Sequence, residues 1–281
     1  MAYSSIVKPS VYFNTKLYTG NGSARSITGV GFQPDFVWVK DRSNDQNHGL
    51  RDAVRGATKR LVSNDTAAEN TQTQGLSSFD SDGFSLGTGV DVNANSDNYA
   101  SWNWLAGGSQ GSSNTDGSIN TTYTSANTTA GFSISKYTGN GSGSTVGHGL
   151  GVAPKMIIIK NLEATEEWKV YHHSIGAAKF LRLNGTNAET SSATYQFEGT
   201  TPTTTVFSVG EGNSTNGNDY IAYCFAEKTG YSKIGSYTGN GNDNGAFVYT
   251  GFKPKFIITK RTDSASAWTL WDNKRVGYNP K

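Results

Sequence analysis

Short apolar runs, bounded by glycine, proline, asparagine and serine, recur along the whole chain. The three clearest runs, residues 36–40, 156–160 and 256–260, each end in a lysine. Their length and their β-branched and aromatic residues predict strands. Apolar residues occupy consecutive positions in the first two runs, which indicates strands that are covered on both faces. Helix-forming residues never accumulate over three turns, so we expect an all-β protein without long helices.

These strands belong to a repeat. The sequence Tyr-Thr-Gly-Asn-Gly occurs three times, and a Gly-x-x-Pro segment introduces the apolar run that follows each copy. The first two copies align without a gap at an offset of 120 residues from residues 31–64 to residues 151–184, and later pairs such as residues 84–87 with residues 207–210 follow at slightly larger offsets. The third copy keeps a counterpart of residues 168–171 at residues 268–271, and the sequence ends before any counterpart of the closing strands. The repeated motif begins at Tyr18, Tyr137 and Tyr237.

The repeat predicts two complete modules and one partial module. Each complete module has the length expected of a jelly-roll-like β-sandwich with roughly seven or eight strands. The Asn-Gly pair of the motif favours positive φ angles and therefore a tight hairpin turn. We expect module 3 to be unable to close its own core, and to lean on module 2, on another copy or on further polypeptide. The predicted organisation is an N-terminal arm (1–10), module 1 (11–107), a linker rich in Gly, Ser, Asn and Thr (108–129), module 2 (130–228) and partial module 3 (229–281).

The amino-acid composition supports an all-β protein and limits the kinds of molecule that it could bind. The 34 glycines and the charged fraction of only 16% favour turns and half-buried strands. A net charge of +2 without a basic cluster argues against nucleic acid as a partner. The single cysteine, Cys224, lies in an apolar run and is predicted to be a small buried residue. No signal peptide and no apolar window of membrane-spanning length is recognisable, so we expect neither export by that route nor membrane insertion.

Two groups of residues resemble hydrolase components. Residues 107–111 satisfy the Gly-x-Ser-x-Gly pattern of a nucleophile elbow, which requires a strand before the serine and a helix after it. We expect a flexible connector instead, because none of the four histidines occupies a suitable setting. The adjacent pair His172 and His173 has no histidine counterpart in module 1 and is interpreted as solvent-facing turn residues. The histidines are His48, His148, His172 and His173.

Three further patterns resemble ligand sites. Residues 91–95 begin like a calcium loop, with oxygen-bearing side chains at alternate positions, but lack the glycine and glutamate that complete one. Residues 139–143 are glycine-rich without dinucleotide spacing, and we interpret them as a turn. Glu163, Glu166 and Glu167 form an acidic stretch that could suggest glycoside cleavage, although we expect it to be exposed surface. The six tryptophans could stack on sugars, but most occupy repeated strand positions, where core packing is the expectation.

The chain resembles a repeat family found in virion proteins of marine and cyanobacterial bacteriophages. The resemblance rests on Tyr-Thr-Gly-Asn-Gly, on residues 31–42, on residues 81–87 and on residues 98–102, and it extends over nearly all of residues 11–281. It implies a particle component, such as a tail fibre, an appendage or a capsid-surface protein. It brings no catalytic residue to transfer.

We therefore expect a non-enzymatic virion structural protein, a tail fibre or tail appendage component attached by its N-terminal modules and assembled in the host cytoplasm. The expected partners are other virion proteins and further copies of the chain, with a trimer as one arrangement. No cofactor, no metal site and no catalytic residue is predicted. The alternatives are an adhesin that binds host-surface glycan, a capsid-surface decoration protein and, from a different class, a depolymerase.

Overall fold

The computed structural model describes residue 4 and residues 6–275. Within this part of the chain almost all regular structure is β, with one short helix, α1 (Val90–Asn93), and two 3-10 turns, at Pro9–Val11 and Glu211–Asn213. The predicted all-β fold of tandem sandwich modules is confirmed. The strands of module 1 are β1 (Phe13–Thr19), β2 (Arg25–Thr28), β3 (Phe36–Asp41), β4 (Gly49–Asp52), β5 (Lys59–Val62), β6 (Asn70–Thr71), β7 (Leu76–Asp80), β8 (Gly83–Leu86) and β9 (Asn98–Trp104).

Module 2 repeats this series of strands with the same pairing, except that among the described residues it has an additional edge strand and no counterpart of β7. Module 3 contributes only two strands in the described residues, β19 (Phe256–Thr259) and β20 (Thr269–Asp272). The strands of module 2 are β10 (Tyr123–Asn127), β11 (Phe132–Thr138), β12 (Ser144–Gly147), β13 (Met156–Asn161), β14 (Lys169–His172), β15 (Lys179–Arg182), β16 (Thr190–Ser191), β17 (Val206–Val209) and β18 (Asp219–Phe225).

Each complete module is a sandwich of two unequal antiparallel layers. The large layer of module 1 has the order β1-β9-β3-β4-β5-β6, and its small layer has the order β2-β8-β7. The large layer of module 2 has the order β10-β11-β18-β13-β14-β15-β16, and its small layer is β12-β17. The closing strand of each module, β9 or β18, is therefore inserted between the first strand of the repeat and the apolar strand.

Both faces of the large layers are buried, as the consecutive apolar residues predict. Val37 and Val39 pack inward against the small layer of module 1, and Ile157 and Ile159 do the same in module 2. The neighbouring positions, Trp38 and Ile158, point to the opposite face, because side chains alternate along a strand. There they join a second core that the three modules share.

The Tyr-Thr-Gly-Asn-Gly turn joins the two layers of a sandwich instead of closing a hairpin. β1 pairs with β9 whereas β2 pairs with β8, so the predicted hairpin is wrong. Only the glycine of the asparagine-glycine step has the expected positive φ, +68° at Gly22 and +76° at Gly141, whereas Asn21 and Asn140 do not. The tyrosine of the motif stacks on the closing strand, with ring centroids 5.1 Å apart for Tyr18 and Tyr99.

Residues 108–129 are not a simple linker. Within this segment, β10 forms the edge strand of the large layer of module 2 by pairing with β11. Ile119 is buried in the core of module 2 and forms a bridge with Val146. The low charge of the segment suggested flexibility, but its hydroxyl and amide groups can pair with a neighbouring strand, and only the tertiary structure supplies that partner.

Candidate functional site: the seams between the modules

The surfaces where the modules meet are the most elaborate feature of the molecule. The shared core takes residues from the outer faces of both large layers, among them Phe36, Trp102, Trp168 and Tyr223. Module 3 adds partly buried side chains from both of its strands, including Phe256. We call the three contact regions the module 1–2, module 2–3 and module 3–1 seams, after the modules that meet in each.

The module 1–2 seam joins the segment 62–69 of module 1 to the loop 161–168 of module 2. Its two backbone hydrogen bonds run from Glu69 N to Leu162 O at 2.8 Å and from Glu166 N to Thr66 O at 3.0 Å. The fully buried Trp168 also donates its indole N–H to the carbonyl of Val62 at 2.8 Å.

The module 2–3 seam repeats these contacts at equivalent positions. The backbone N–H of Glu189 donates to Thr262 O, and that of Ser266 donates to Thr186 O, both at 2.8 Å. Trp268 donates its indole N–H to Arg182 O at 2.7 Å. Two seams with the same three hydrogen bonds show that one docking geometry is used twice, so the expectation that module 3 leans on module 2 is confirmed.

The lysine that ends each apolar run shapes the docking loops. Lys160 is fully buried and donates to the carbonyl groups of Asn161 and Ala164, at 2.9 and 3.1 Å. Burial lowers the pKa of this ammonium group to about 8. Lys260 extends the same role across the module 2–3 seam, where it donates to Thr186 O at 3.1 Å.

A second kind of contact connects the closing strand of one module to an aspartate of another module. Tyr223 of module 2 donates its hydroxyl to Asp52 of module 1 at 2.7 Å, and Trp102 of module 1 donates its indole N–H to Asp272 of module 3 at 3.1 Å. Asp52 and Asp272 occupy the same register position, opposite Phe36 and Phe256 respectively. Modules 1 and 3 thus touch each other as well as module 2, an arrangement that the sequence did not predict.

An ion pair holds each aspartate, and it is buried for Asp52 and partly exposed for Asp272. Arg55 approaches Asp52 and Arg275 approaches Asp272, each with an Nε to Oδ2 distance of 2.6 Å. Burial alone would lower the pKa of Arg55, but the carboxylate of Asp52 raises it, so the guanidinium keeps its charge. Burial would likewise raise the pKa of Asp272, yet the backbone N–H groups of Arg275 and Lys274 hold it below its usual range.

The module 3–1 seam is only half formed in the described part of the chain. Its docking loop, residues 41–46, meets no counterpart of the segment 62–69 there, and a cleft of about 500 Å³ lies between residues 40–45 and 269–275. His48 occupies the position that Trp168 and Trp268 hold in the other seams, and it accepts a hydrogen bond from Trp38 Nε1 at 3.0 Å. Burial lowers the pKa of His48 to about 4.

The hydrolase-like residues do not come together. Ser109 is exposed in a loop, and no helix follows it among the described residues. His148 is fully buried, with Nδ1 accepting from Leu150 N and Nε2 facing Thr203 O, so both ring nitrogens have backbone partners. His172 is not the solvent-facing turn residue we expected, because it ends β14, is half-buried and has its pKa lowered to about 4 by burial.

The side chains of the calcium-like pattern, residues 91–95, do not converge on one point, because each has different surroundings. Asp91 is neutralised by Arg51 and Arg60, each at 3.1 Å. Asn93 is buried and holds the turn that contains Gly22, whereas the third residue of the pattern is exposed. Across the described residues, no cluster of three or more histidine, cysteine, aspartate or glutamate side chains could hold a metal ion.

The remaining patterns are structural. Glu167 pairs with Arg182 and Lys169, and its neighbour Glu166 contributes its backbone to the module 1–2 seam. Gly139 packs so tightly that an added Cβ would lie 2.4 Å from Thr215 O, which explains the glycine-rich turn. Four of the tryptophans, Trp38, Trp102, Trp104 and Trp168, are buried in the shared core, Trp268 packs against it, and Trp271 lines the cleft.

Two further predictions concern burial and membranes. Cys224 is fully buried, as expected, and burial raises the pKa of its thiol. Among the helices of residues 6–275, none is long and apolar enough to cross a membrane.

Fold and seams define a class of protein built from tandem β-sandwich modules that share one aromatic core. The chain belongs to the family described as "Domain of unknown function (DUF7483)", whose model matches residues 8–281. No curated protein and no solved structure shows significant similarity to the chain.

The seams were missed in the sequence although the sequence contains a signal for them. The segments 64–69 and 184–189 share the pattern Asn-x-Thr-x-Ala-Glu, and Trp168 and Trp268 stand at equivalent positions. Shared residues outside the apolar strands could have been assigned to contacts between modules. The repeat does not indicate which module each of these shared residues contacts.

Proposed function

We propose that this protein is a non-enzymatic structural protein of a bacteriophage particle, a tail fibre or tail appendage component that works as an assembly unit. The observation that carries the proposal is the repeated seam, in which one set of contacts locks successive modules around a common core. Buried indoles, backbone hydrogen bonds and ion pairs at these seams, such as Trp168 to Val62, build a rigid body from small units. The resemblance of the repeat to phage virion proteins supports the same conclusion.

The positions of the four buried tryptophans favour packing between modules over sugar stacking by these residues. Glycan-binding platforms require exposed aromatic faces, and the four buried tryptophans are occupied by packing in the shared core. The large exposed apolar residues instead concentrate in module 3, where Tyr237, Phe247 and Tyr249 are 59%, 89% and 74% exposed. Large apolar side chains left exposed in one region are a surface that another polypeptide can cover.

Electron microscopy of purified particles, labelled with antibody against this protein, tests the proposal. We expect label on the tail or its appendages. Label confined to the capsid surface would instead identify a decoration protein, and particles without label would refute a virion role. Incubation of the pure protein with host polysaccharide separates the enzymatic alternative, because chain shortening would refute a purely structural function.

Light scattering on the purified protein measures the oligomeric state that the proposal includes. We expect a homo-oligomer. A monomer at all concentrations would remove self-assembly from the proposal and leave attachment to other virion proteins.

A further inference from the structure

We propose that module 1 binds a small inorganic anion, such as chloride, inside its sandwich, on the guanidinium groups of Arg51 and Arg60. This inference concerns the region between the two layers of module 1, and it is independent of where the protein resides in a particle. Buried donors without acceptors, an excess of positive charge and a comparison with module 2 support it.

The guanidinium of Arg51 is buried with part of its hydrogen-bonding capacity unused. Arg51 lies on β4, its side chain points between the layers, and it is 0% exposed. Its Nη2 donates to Asp91 Oδ2 at 3.1 Å and to Gln72 Oε1, whereas its Nε and Nη1 have no acceptor among the described residues. A buried cationic donor without an acceptor carries a large desolvation cost, so these N–H groups indicate a ligand.

Asp91 does not balance the charge of this region by itself. Arg60 Nε lies 3.1 Å from the same oxygen, Asp91 Oδ2, but outside hydrogen-bond geometry. Two guanidinium groups therefore share one carboxylate, which leaves an excess of positive charge. The next carboxylate on β4, Asp52, points to the opposite face and pairs with Arg55. Burial and the charge of Arg60 lower the pKa of Arg51 by more than Asp91 raises it, which agrees with this excess.

The two guanidinium groups converge beside a glycine. A Cβ added at Gly49 would lie 2.8 Å from Arg51 Nη1 and 3.6 Å from Arg60 Nε. A Cβ added at Gly75 would lie 2.5 Å from Arg51 Nη2, so a second glycine also allows the backbone to approach this group. Such close packing limits the ligand to a small anion of the size of chloride and excludes sulfate or phosphate. Arg60 is partly exposed and connects the site to solvent.

Module 2 builds the same region from aromatic rings. Tyr171 and Phe180 are the counterparts of Arg51 and Arg60 at the offset of 120 residues, and both are buried in the apolar core of module 2. Tyr171 packs on Phe197, with ring centroids 5.7 Å apart. An apolar core is therefore sufficient for this sandwich, and buried ion pairs seldom stabilise a fold more than apolar packing does. A bound anion gives the charged cluster of module 1 a role that the fold does not require.

Anomalous diffraction from crystals of the full chain locates the anion directly. Growth in sodium bromide replaces chloride with an anomalous scatterer of similar size. We expect a bromide peak in contact with Nε or Nη1 of Arg51. A water molecule there without anomalous signal, or bromide confined to the protein surface, would overturn the proposal. This measurement uses the unmodified protein and does not depend on any variant folding.

Urea unfolding in sodium chloride and in sodium gluconate of equal ionic strength measures the effect of the anion on stability. A ligand that binds only the folded state raises the folding equilibrium constant about tenfold for each tenfold rise of its concentration above the dissociation constant. We expect this dependence for chloride and none for gluconate, whose size excludes it. Equal stability in the two salts at every concentration would refute a chloride site.

A matched pair of arginine variants separates the site from a general effect of salt. Arg51→Met removes the donors without acceptors and the excess charge, so we expect the chloride dependence to be lost. Arg25→Met removes a guanidinium of the same module that donates to Thr19 O at 2.8 Å at the surface, and the chloride dependence should be unchanged. A dependence that persists in Arg51→Met, or that is lost equally in both variants, would refute binding at Arg51.

A second pair of variants keeps every charge. Gly49→Ala places a Cβ against Arg51 Nη1 and displaces this donor, so we expect chloride binding to weaken about tenfold or more. Gly235→Ala, in open space, is the control and should leave chloride binding unchanged. Equal chloride dependence in the two glycine variants would contradict an anion held by Arg51 Nη1.

Discussion

The hydroxyl of Tyr223 offers the sharpest test of the module 1–2 seam. The side chain is 1% exposed, its ring centroid lies 4.5 Å from that of Phe36, and its hydroxyl donates to Asp52 at 2.7 Å. The same hydroxyl accepts a long hydrogen bond from Arg55 Nη2 at 3.4 Å. Tyr223→Phe removes this oxygen and keeps the ring, so its effect isolates the polar contact between two modules.

The expected loss of stability follows from the charge of the acceptor. A hydrogen bond to a charged group contributes about 1.5–3 kcal/mol, and a neutral one about 0.5–1.5 kcal/mol. Asp52 keeps its ion pair with Arg55 in the variant, so we expect a loss in the lower part of the first range, about 1.5–2 kcal/mol. The control is Tyr137→Phe, which removes a bond to the neutral carbonyl of Asn213 inside module 2 and should cost about 1 kcal/mol.

Guanidinium unfolding followed by tryptophan fluorescence measures both effects, since most of the indoles lie in the shared core. A double-mutant cycle of Tyr223→Phe with Asp52→Asn then gives the coupling between the two side chains. We expect a coupling of about 1 kcal/mol or more. Additive effects, or a loss for Tyr223→Phe no larger than that for the control, would refute the idea that this contact holds modules 1 and 2 together.

Three further variants test other parts of the structure. Trp168→Phe leaves a buried carbonyl without its donor and a small cavity, so thermal unfolding should show a loss of about 2–3 kcal/mol, and a loss below about 0.5 kcal/mol would contradict the seam. Burial raises the pKa of Asp35 to about 6, although the backbone N–H groups of Gly108 and Ala106 oppose the shift. The folded state therefore binds this proton more tightly than the unfolded chain, and the stability that the carboxyl contributes falls as pH rises from about 4 to about 6. Asp35→Asn should remove a stability difference of up to about 3 kcal/mol between these pH values, measured by urea unfolding, and an unchanged slope would contradict the assignment. Gly139→Ala should destabilise by about 2 kcal/mol or more because its Cβ meets a backbone oxygen, whereas Gly235→Ala, in open space, should change stability by less than about 0.5 kcal/mol in the same assay.

The sequence predicted local structure well, but it predicted poorly which strands pair and how the segments are connected. The apolar runs around Val37 and Ile157 became central strands buried on both faces, as their composition predicted. The glycine of the Asn-Gly turn adopted its expected positive φ, but the turn connects two layers, because a turn residue fixes φ locally and does not choose the partner of the strand that follows. The segment 108–129 was assigned as a linker because Gly, Ser, Asn and Thr dominate it and it has one charged residue, but its strand pairing depends on the neighbouring edge of module 2.

The candidate site likewise combines features that the sequence predicted with contacts that it did not predict. The calcium-like and glycine-rich patterns could be set aside from their spacing, since metal-binding and dinucleotide-binding motifs require residue types at fixed intervals. The seams could not be derived in this way, because Trp168 and the backbone of Glu69 acquire their roles only when two modules face each other. Their partners lie far away in sequence, and hydrophobic periodicity contains no information about which outer face meets which.

By itself the sequence determined the modules and their strands, because period-two patterning, turn glycines and internal repetition are properties of short segments. Only the tertiary structure decided that the three modules pack around one core and that Asp52 and Asp272 receive equivalent contacts. These features arise from burying the outer faces of the large layers. That burial is favourable for many arrangements of apolar surface, and specific hydrogen bonds such as those of Trp168 and Tyr223 select one of them.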